Sequence, residues 1–328
     1  MLFLYSVISL VLIFDFINGF HDSANSIATV VSTKVLSPFA AVAMAAFFNF
    51  IAFTVFPLKV ATTIGKGVID PDIINLTVIA SALIAAILWN LLTWWLGLPS
   101  SSSHTLVGGL VGSAIASSGI GSVVIGGVIK IVAFIIIAPL LGMVISFIIS
   151  AVVINISKKY SSFTVDKHFR RLQLLSAAAF SLGHGGNDAQ KSMGIIWAAL
   201  IVSGLATKDD KIAIWIVLSC QAAISLGTLF GGWRIVKTMG QRITKLKPFE
   251  GFCAETAGAL TLFGATHFGI PVSTTHTITG SIIGVGARKG ASAVKWGVTT
   301  KIFWAWILTI PVSAVVGAIM YYLLNRII

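Results

Sequence analysis

The chain has 328 residues and a formal net charge of +12, yet only 10% of them are charged while 57% are hydrophobic, and the mean hydropathy is +0.99. Soluble globular domains carry about 25% charged residues, so a soluble domain is excluded and the sequence reads as an all-α polytopic membrane protein. Ten of the 22 Lys and Arg residues lie in two short segments, 158–171 and 234–247, as the positive-inside bias of membrane proteins produces, so the charge marks cytoplasmic loops and no nucleic acid is expected as a partner.

Residues 1–16, MLFLYSVISLVLIFDF, lack the basic start and small-residue cleavage site of a secretory signal, and are expected to open the first transmembrane helix. That helix runs into INGFHDSANSIAT (17–29), where glycine interrupts the apolar sequence shortly before Asp22. In GLPSSSSHTLVGG (97–109), Pro99 stops one helix and the hydroxyl residues can cap the next. The motif is therefore expected at the tip of a re-entrant helical hairpin, since non-helical backbone at membrane depth must be buried in protein or line a cavity. The apolar stretch that follows is broken by Pro139, and is expected as two short spans or one kinked helix. The basic segment 158–170 is expected to be a cytoplasmic linker joining a first transmembrane repeat, 1–157, to a second, 171–328.

The second half repeats the first. GHGGNDAQKSMGI (183–195) sets Asp188 on Asp22, and IPVSTTHTITGS (270–281) sets Pro271, His276 and Thr277 on Pro99, His104 and Thr105. The offset of the second pair also carries Pro139 onto Pro311. Internal repeats of this kind build many transporters. About ten to twelve membrane segments are expected; whether the halves are inverted depends on the number of crossings in each, which hydropathy leaves open. Cys220 and Cys253 have no metal-ligand spacing and read as packing residues.

A charged side chain at the bilayer centre costs about 2.5–3.5 kcal/mol even on lenient insertion scales, so acids kept there tend to serve function. Asp15, Asp22, Asp188 and Glu255 all fall in apolar segments. Asp22 and Asp188 are flanked by the amides Asn25, Asn187 and Gln190, and carboxylate and amide oxygens are the ligands of hard cations. A buried hydrogen-bond network is the plainer alternative. The glycines before both acids suggest locally unwound helix with carbonyls free for an ion, although close helix packing also uses glycine. Asp15 has no repeat partner and reads as structural.

A hairpin tip rich in Ser and Thr offers free N–H groups, a positive helix end and hydroxyl donors, which together suit an anion. Two such tips could enclose a tetrahedral oxyanion, with His104 and His276 either donating to it or holding the tips together. No arginine lies in these motifs, so co-bound cations and helix ends must balance the anion's charge. A membrane hydrolase built on Ser103 or Ser273 would need no second copy of its constellation, and buried acids disfavour a passive anion channel. No enzyme is expected.

The paired signatures GFHDSAN and GHGGNDAQ, with GLPSSSSHT and GIPVSTTHT, resemble those of the inorganic phosphate transporter (PiT) family of cation-coupled symporters. The resemblance covers essentially the whole chain. It implies two inverted repeats with both termini outside, one phosphate site near the midplane, and coupling to sodium or, in some bacterial members, to protons. It carries the family's functional residues onto Asp22, Asn25, His184, Asp188 and Glu255 and its hairpin hydroxyls onto Ser102, Ser103, Thr105, Ser273, Thr274 and Thr275. Taken with the flanking amides, the anion is expected at those hydroxyls with Asn25 and Gln190, and sodium at Asp22 and Asp188 with Asn25, Asn187 and Glu255, supported by His21, His104, His184 and His276. Two positions depart from the pattern: Asn49 stands about where eukaryotic members carry a glutamate, and Lys191 follows Asp188 where the family has an amide. The expectation is a sodium-coupled phosphate symporter, with a proton-coupled carrier or a sulfate permease of the same family as alternatives. It would be multi-pass in the cell's inner (plasma) membrane, with phosphate, sodium and membrane lipid as partners and no cofactor. Small-residue faces such as GGLVGSAIASSG are compatible with a homodimer and fit internal packing equally well.

Overall fold

The computed structural model describes residues 1–67 and 74–327. The two helices built around the Asp motifs run unbroken, α1 over Leu2–Ser32 and α7 over Ser162–Val202. The unwound segments expected at the glycines are therefore absent among the described residues. A helical glycine costs about 1 kcal/mol, too little to break a long buried helix, and here the glycines bring helices together. A Cβ on Gly19 would strike the backbone of Ile224, one on Gly185 the backbone of Asn49, and one on Gly186 the ring of Phe56.

Between these two helices lie α2 (Pro38–Ile51), α3 (Lys59–Gly67), α4 (Leu76–Leu96), α5 (Ser102–Ser118) and α6 (Ile125–Ser157). After α7 come α8 (Ile214–Phe230), the short α9 (Trp233–Lys237), α10 (Pro248–His267), α11 (Thr274–Arg288) and α12 (Trp296–Leu324). By length and hydropathy α1, α4, α6 and α12 can each cross a membrane, and α8 with the α9 region makes a fifth candidate bent by 62°. Fewer spans qualify than the ten to twelve expected: α2, α5 and α11, of 14, 17 and 15 residues, fall short of the roughly 20 a crossing needs, and α7 and α10, long enough at 41 and 20 residues, are not among the helices that qualify by length and hydropathy together. Of the expected linker 158–170, residues from Ser162 onward already belong to α7.

The helical hairpins form as expected. Gly97 ends α4 at φ 66° and Gly269 follows α10 at φ 68°, the left-handed conformation that glycine adopts without strain. The flanking amides close matching turns, Leu98 N to Thr93 O at 2.9 Å and Ile270 N to Ala265 O at 2.8 Å. Ser101 and Ser273 then cap α5 and α11, their hydroxyls accepting from His104 N and His276 N at 3.3 and 3.2 Å.

Each hairpin leans on the proline-containing helix of the other half. Gly108 and Gly112 of α5 press against α12 at Ile310 and Ala314, while Gly280 and Gly284 of α11 press against α6 at Pro139 and Met143. Both α6 and α12 continue through their prolines as single helices. The buried positions of α6 are Ile131, Ala138, Gly142, Ser146 and Ser150, whereas Ile136, Leu140, Phe147 and Ile148 are exposed. A small, partly polar inner stripe with a bulky apolar outer face is the pattern of a lipid-facing helix.

Two apolar clusters bracket the centre. One takes α1 from Leu4 to Phe14 and α7 from Ala189 to Ala199; the other takes α1 from Ala24 to Val30 and α7 at Ala177 and Phe180. The segments between them hold Asp15, Asn18, His21 and Asp22 on α1 and Ser181, His184, Asn187 and Asp188 on α7, all buried. A polar layer is thus sealed between two hydrophobic ones. The basic segments gather at one end of the molecule, where Phe169 packs edge-on against Phe249 with ring centroids 5.5 Å apart. There Arg170 donates to the Lys34 carbonyl at 3.0 Å and Lys289 to the Lys245 carbonyl at 2.7 Å.

Candidate functional site

The hairpin tips meet in the polar layer. His104 and His276 lie with ring centroids 4.7 Å apart, and His276 stacks on Trp306 at 3.7 Å. The Trp306 indole N–H donates to the Pro99 carbonyl at 3.0 Å, tying the first tip to α12. With Ser101 and Ser273 each spent on the third N–H of its helix, the N–H groups of Ser102, Ser103, Thr274 and Thr275 are the helix-start donors without a helical acceptor.

Hydroxyls at matched positions face the two acids. Ser102 Oγ is 2.9 Å from Asp22 Oδ2 and 2.7 Å from Asn18 Oδ1, and Thr274 Oγ1 donates to Asp188 Oδ2 at 2.8 Å. Asn25 Nδ2 donates to Thr274 Oγ1 at 3.2 Å and to Thr275 Oγ1 at 2.9 Å, and Thr275 in turn is 3.4 Å from Asp22 Oδ1. Asp22 therefore touches both tips. The His21 ring binds Asp22 Oδ1 at 2.7 Å and Thr93 at 3.1 Å, and Thr93 also accepts from Ser100 at 2.9 Å. His184 sits 3.2 Å from Asp188 Oδ2 and 3.1 Å from Asn49 Oδ1. Asp22, His184 and Asp188 each present a ligand atom within 4.8 Å of the others. Asn49, where a family glutamate is expected, thus serves as a neutral support for His184 and donates its own amide to Thr228 at 2.9 Å.

Lys191 enters this cluster as well. Its ammonium bonds Asp188 Oδ1, Ser103 Oγ at 2.5 Å and the Val272 carbonyl at 2.8 Å. A fixed positive charge therefore stands beside Asp188, in addition to the helix ends and co-bound cations expected to balance an anion.

Five expected ligands are engaged elsewhere. Thr105 turns back on the Ser101 carbonyl at 2.8 Å and on Asn90 at 3.2 Å, since the fourth residue of a helix points away from its open end. Ser273 is the cap of α11. Asn187 donates to Thr266 Oγ1 at 3.0 Å and to Ile270 O at 3.3 Å and accepts from Val272 N at 3.3 Å, so it fastens the second tip. Gln190 accepts from Val60 N at 3.0 Å and Ala61 N at 3.3 Å and donates to Pro57 O at 3.0 Å, which anchors the start of α3.

Glu255 belongs to a separate cluster. It accepts from Thr29 and Ser176 hydroxyls at 2.5 Å and from Gln173 Nε2 at 3.0 Å. Thr29 lies seven residues beyond Asp22, about 10 Å along α1 at 1.5 Å per residue. Asn18, Thr93 and Val272 are site residues that motif reading missed. Asn18 carried a signal, lying one helical turn before Asp22 and so on the same face.

Comparison with known proteins agrees with this architecture. The model of the phosphate transporter family matches residues 18–163 and 154–317. The chain is 54% identical over 319 residues to a probable low-affinity inorganic phosphate transporter of Rhizobium meliloti (strain 1021), covering 97% of this chain and 96% of that protein. It is 46% identical over 318 residues to a protein of the same description from Bacillus subtilis (strain 168), covering 96% and 95%. A solved structure described as the sodium-dependent phosphate transporter superimposes with a TM-score of 0.90 at 28% identity, over 100% of both chains. With its apolar spans, its sealed polar layer and relatives that are transporters and not enzymes, the chain belongs to the phosphate transporter family.

Proposed function

We propose that this protein is a sodium-coupled symporter of inorganic phosphate in the cell's inner (plasma) membrane, built as two inverted repeats, 1–157 and 171–328. The observation that carries the reading is the convergence of two Ser/Thr-rich helix starts on the buried pair Asp22 and Asp188. Phosphate would sit between the tips, taking donors from Ser102, Ser103, Thr274 and Thr275 and from the N–H groups of their helix starts. Sodium would sit at Asp22, with the oxygens of Asn18, Asn25, Ser102 and Thr275 in reach. The partner exchange of α5 with α12 and of α11 with α6 supports the paired repeats. The solved structure of similar fold is described as sodium-dependent, which supports the choice of ion.

Coupling follows from electrostatics. Two like unit charges 4 Å apart repel by about 4 kcal/mol at an effective dielectric constant near 20. An anion entering beside Asp22 is therefore disfavoured until a cation arrives, and the cation is held more firmly once the anion is present. Closing the layer between two apolar clusters keeps either ion from crossing alone. The hydroxyls that donate to Asp22 and Asp188 can turn to the anion when cation charge takes their place.

The test is phosphate uptake into proteoliposomes with and without an inward sodium gradient. Wild-type protein is expected to show sodium-stimulated uptake resisting excess sulfate, and Asp22→Asn to abolish the stimulated part. Near-normal coupled uptake by Asp22→Asn overturns the site, and equal competition by sulfate overturns the substrate.

A further inference from the structure

Lys191 stands where the first half has Asn25: each lies three residues after its acid, Asp188 or Asp22. A lysine ammonium has three N–H donors, and three oxygens take them, one each from Asp188, Ser103 and the Val272 main chain. A carboxylate, a hydroxyl and a main-chain carbonyl form the ligand set of a hard cation. Here they come from α7 and from both hairpin tips. Lys191 is 2% exposed, so its charge is committed to this pocket.

The first half is built differently at the matching place. Asn25 gives its amide hydrogens to Thr274 and Thr275, and its Oδ1 is buried with no donor. Asp22 is met by hydroxyls and by the His21 ring, and no lysine or arginine pairs with it among the described residues. One half of the polar layer therefore holds a resident cation, and the other holds an orphaned acceptor beside its acid.

We infer that Lys191 is a built-in cation: its ammonium fills the second-half cation position, so that of the two repeat-related acids Asp22 alone takes a transported cation. The inference rests on the sodium-coupled reading above and corrects the expectation of sodium at both acids. The protein itself then supplies part of the anion's charge balance. A carrier with amides at both positions would move one more sodium ion per phosphate than this one does. Because the same ammonium touches Ser103 of one tip and Val272 of the other, it also holds the tips together around Asp188 when no second ion is present.

The experiment compares wild type, Lys191→Asn and Lys191→Met in liposomes by simultaneous influx of radiolabelled sodium and phosphate. Lys191→Asn, which copies Asn25, is expected to raise the sodium-to-phosphate ratio by one and to steepen the sodium dependence. Lys191→Met supplies neither charge nor ligand oxygen, and is expected to lose uptake about tenfold or more without rescue by added sodium. An unchanged ratio in Lys191→Asn overturns the inference alone. Should Lys191→Asn fail to fold, sodium binding to the wild type by equilibrium dialysis with phosphate decides: one phosphate-dependent ion per chain, lost in Asp22→Asn, supports the inference and two overturn it. Wild-type uptake indifferent to sodium overturns the proposed function, and the inference with it.

Discussion

Ser102 and Asn187 are both buried polar residues beside an acid, and their partners separate a ligand from a support. Ser102 Oγ faces Asp22 and Asn18 at the open end of α5, where an anion would take its hydrogen. Ser102→Ala is expected to raise the phosphate KM by about tenfold to a hundredfold, the worth of a hydrogen bond to a charged group. Asn187 instead makes three bonds to the α10–α11 turn. Removing them in Asn187→Ala leaves buried groups unpaired at about 1–3 kcal/mol each. A clear fall in Tm in detergent is expected, and an unshifted Tm would show that the amide is not a fastener. Sequence reading placed Asn187 and Gln190 with Asp188 because they adjoin it. A helix turns about 100° per residue, so Asp188 faces the tips while its neighbours face the α10–α11 turn and α3. The repeat is the better guide, since the offsets that set Asp188 on Asp22 and His276 on His104 also bring Lys191 to the place of Asn25 and Thr274 to that of Ser102, the residues that meet in the polar layer.

At the scale of elements, glycine means two different things in this chain. Gly97 and Gly269 end helices because the next residues lead to Pro99 and Pro271, and those breaks were legible as Gly-x-Pro before a hydroxyl run. Gly19, Gly185 and Gly186 leave the helix intact and serve contact with α8, with Asn49 and with Phe56. Nothing local announces the second use, since the partner that a packing glycine touches lies far away in the chain. The hairpin contacts provide a test. A Cβ on Gly280 would fall on the Pro139 backbone of α6, and backbone cannot step aside as a side chain can. Gly280→Val is expected to destabilise by at least the 1–3 kcal/mol typical of overpacking and to yield little folded protein by size-exclusion chromatography. Gly264 lies in α10 with nothing near its Cβ position, so Gly264→Ala is expected to fold and transport normally, gaining about 0.5–1 kcal/mol of helix stability. Comparable yields for the two variants would remove the close-packing account.

For the whole molecule, the length of α7 and the placement of charge set the orientation. Its 41 residues extend about 60 Å, twice the roughly 30 Å of a hydrocarbon core. If α7 crosses a bilayer, at least one of its ends projects beyond it. The candidate is the start, which carries Asp166, Lys167, Arg170 and Arg171 and where Arg170 bonds the Lys34 carbonyl and Phe169 packs on Phe249. At the far end of α7 the loop over 207–211 carries two lysines and two aspartates and has no net charge. The positive-inside rule predicts that the basic end faces the cytoplasm, and with that orientation the Glu255 cluster would lie on the cytoplasmic side of Asp22 and Asp188. Single cysteines at two exposed positions read this out, Tyr160→Cys at the basic end and Asp209→Cys at the other, because Cys220 and Cys253 are both buried. In right-side-out vesicles a membrane-impermeant maleimide is expected to label Asp209→Cys at once and Tyr160→Cys only after permeabilisation. The opposite order would turn the molecule over, and with it the direction in which the membrane potential would act on a cation entering at Asp22.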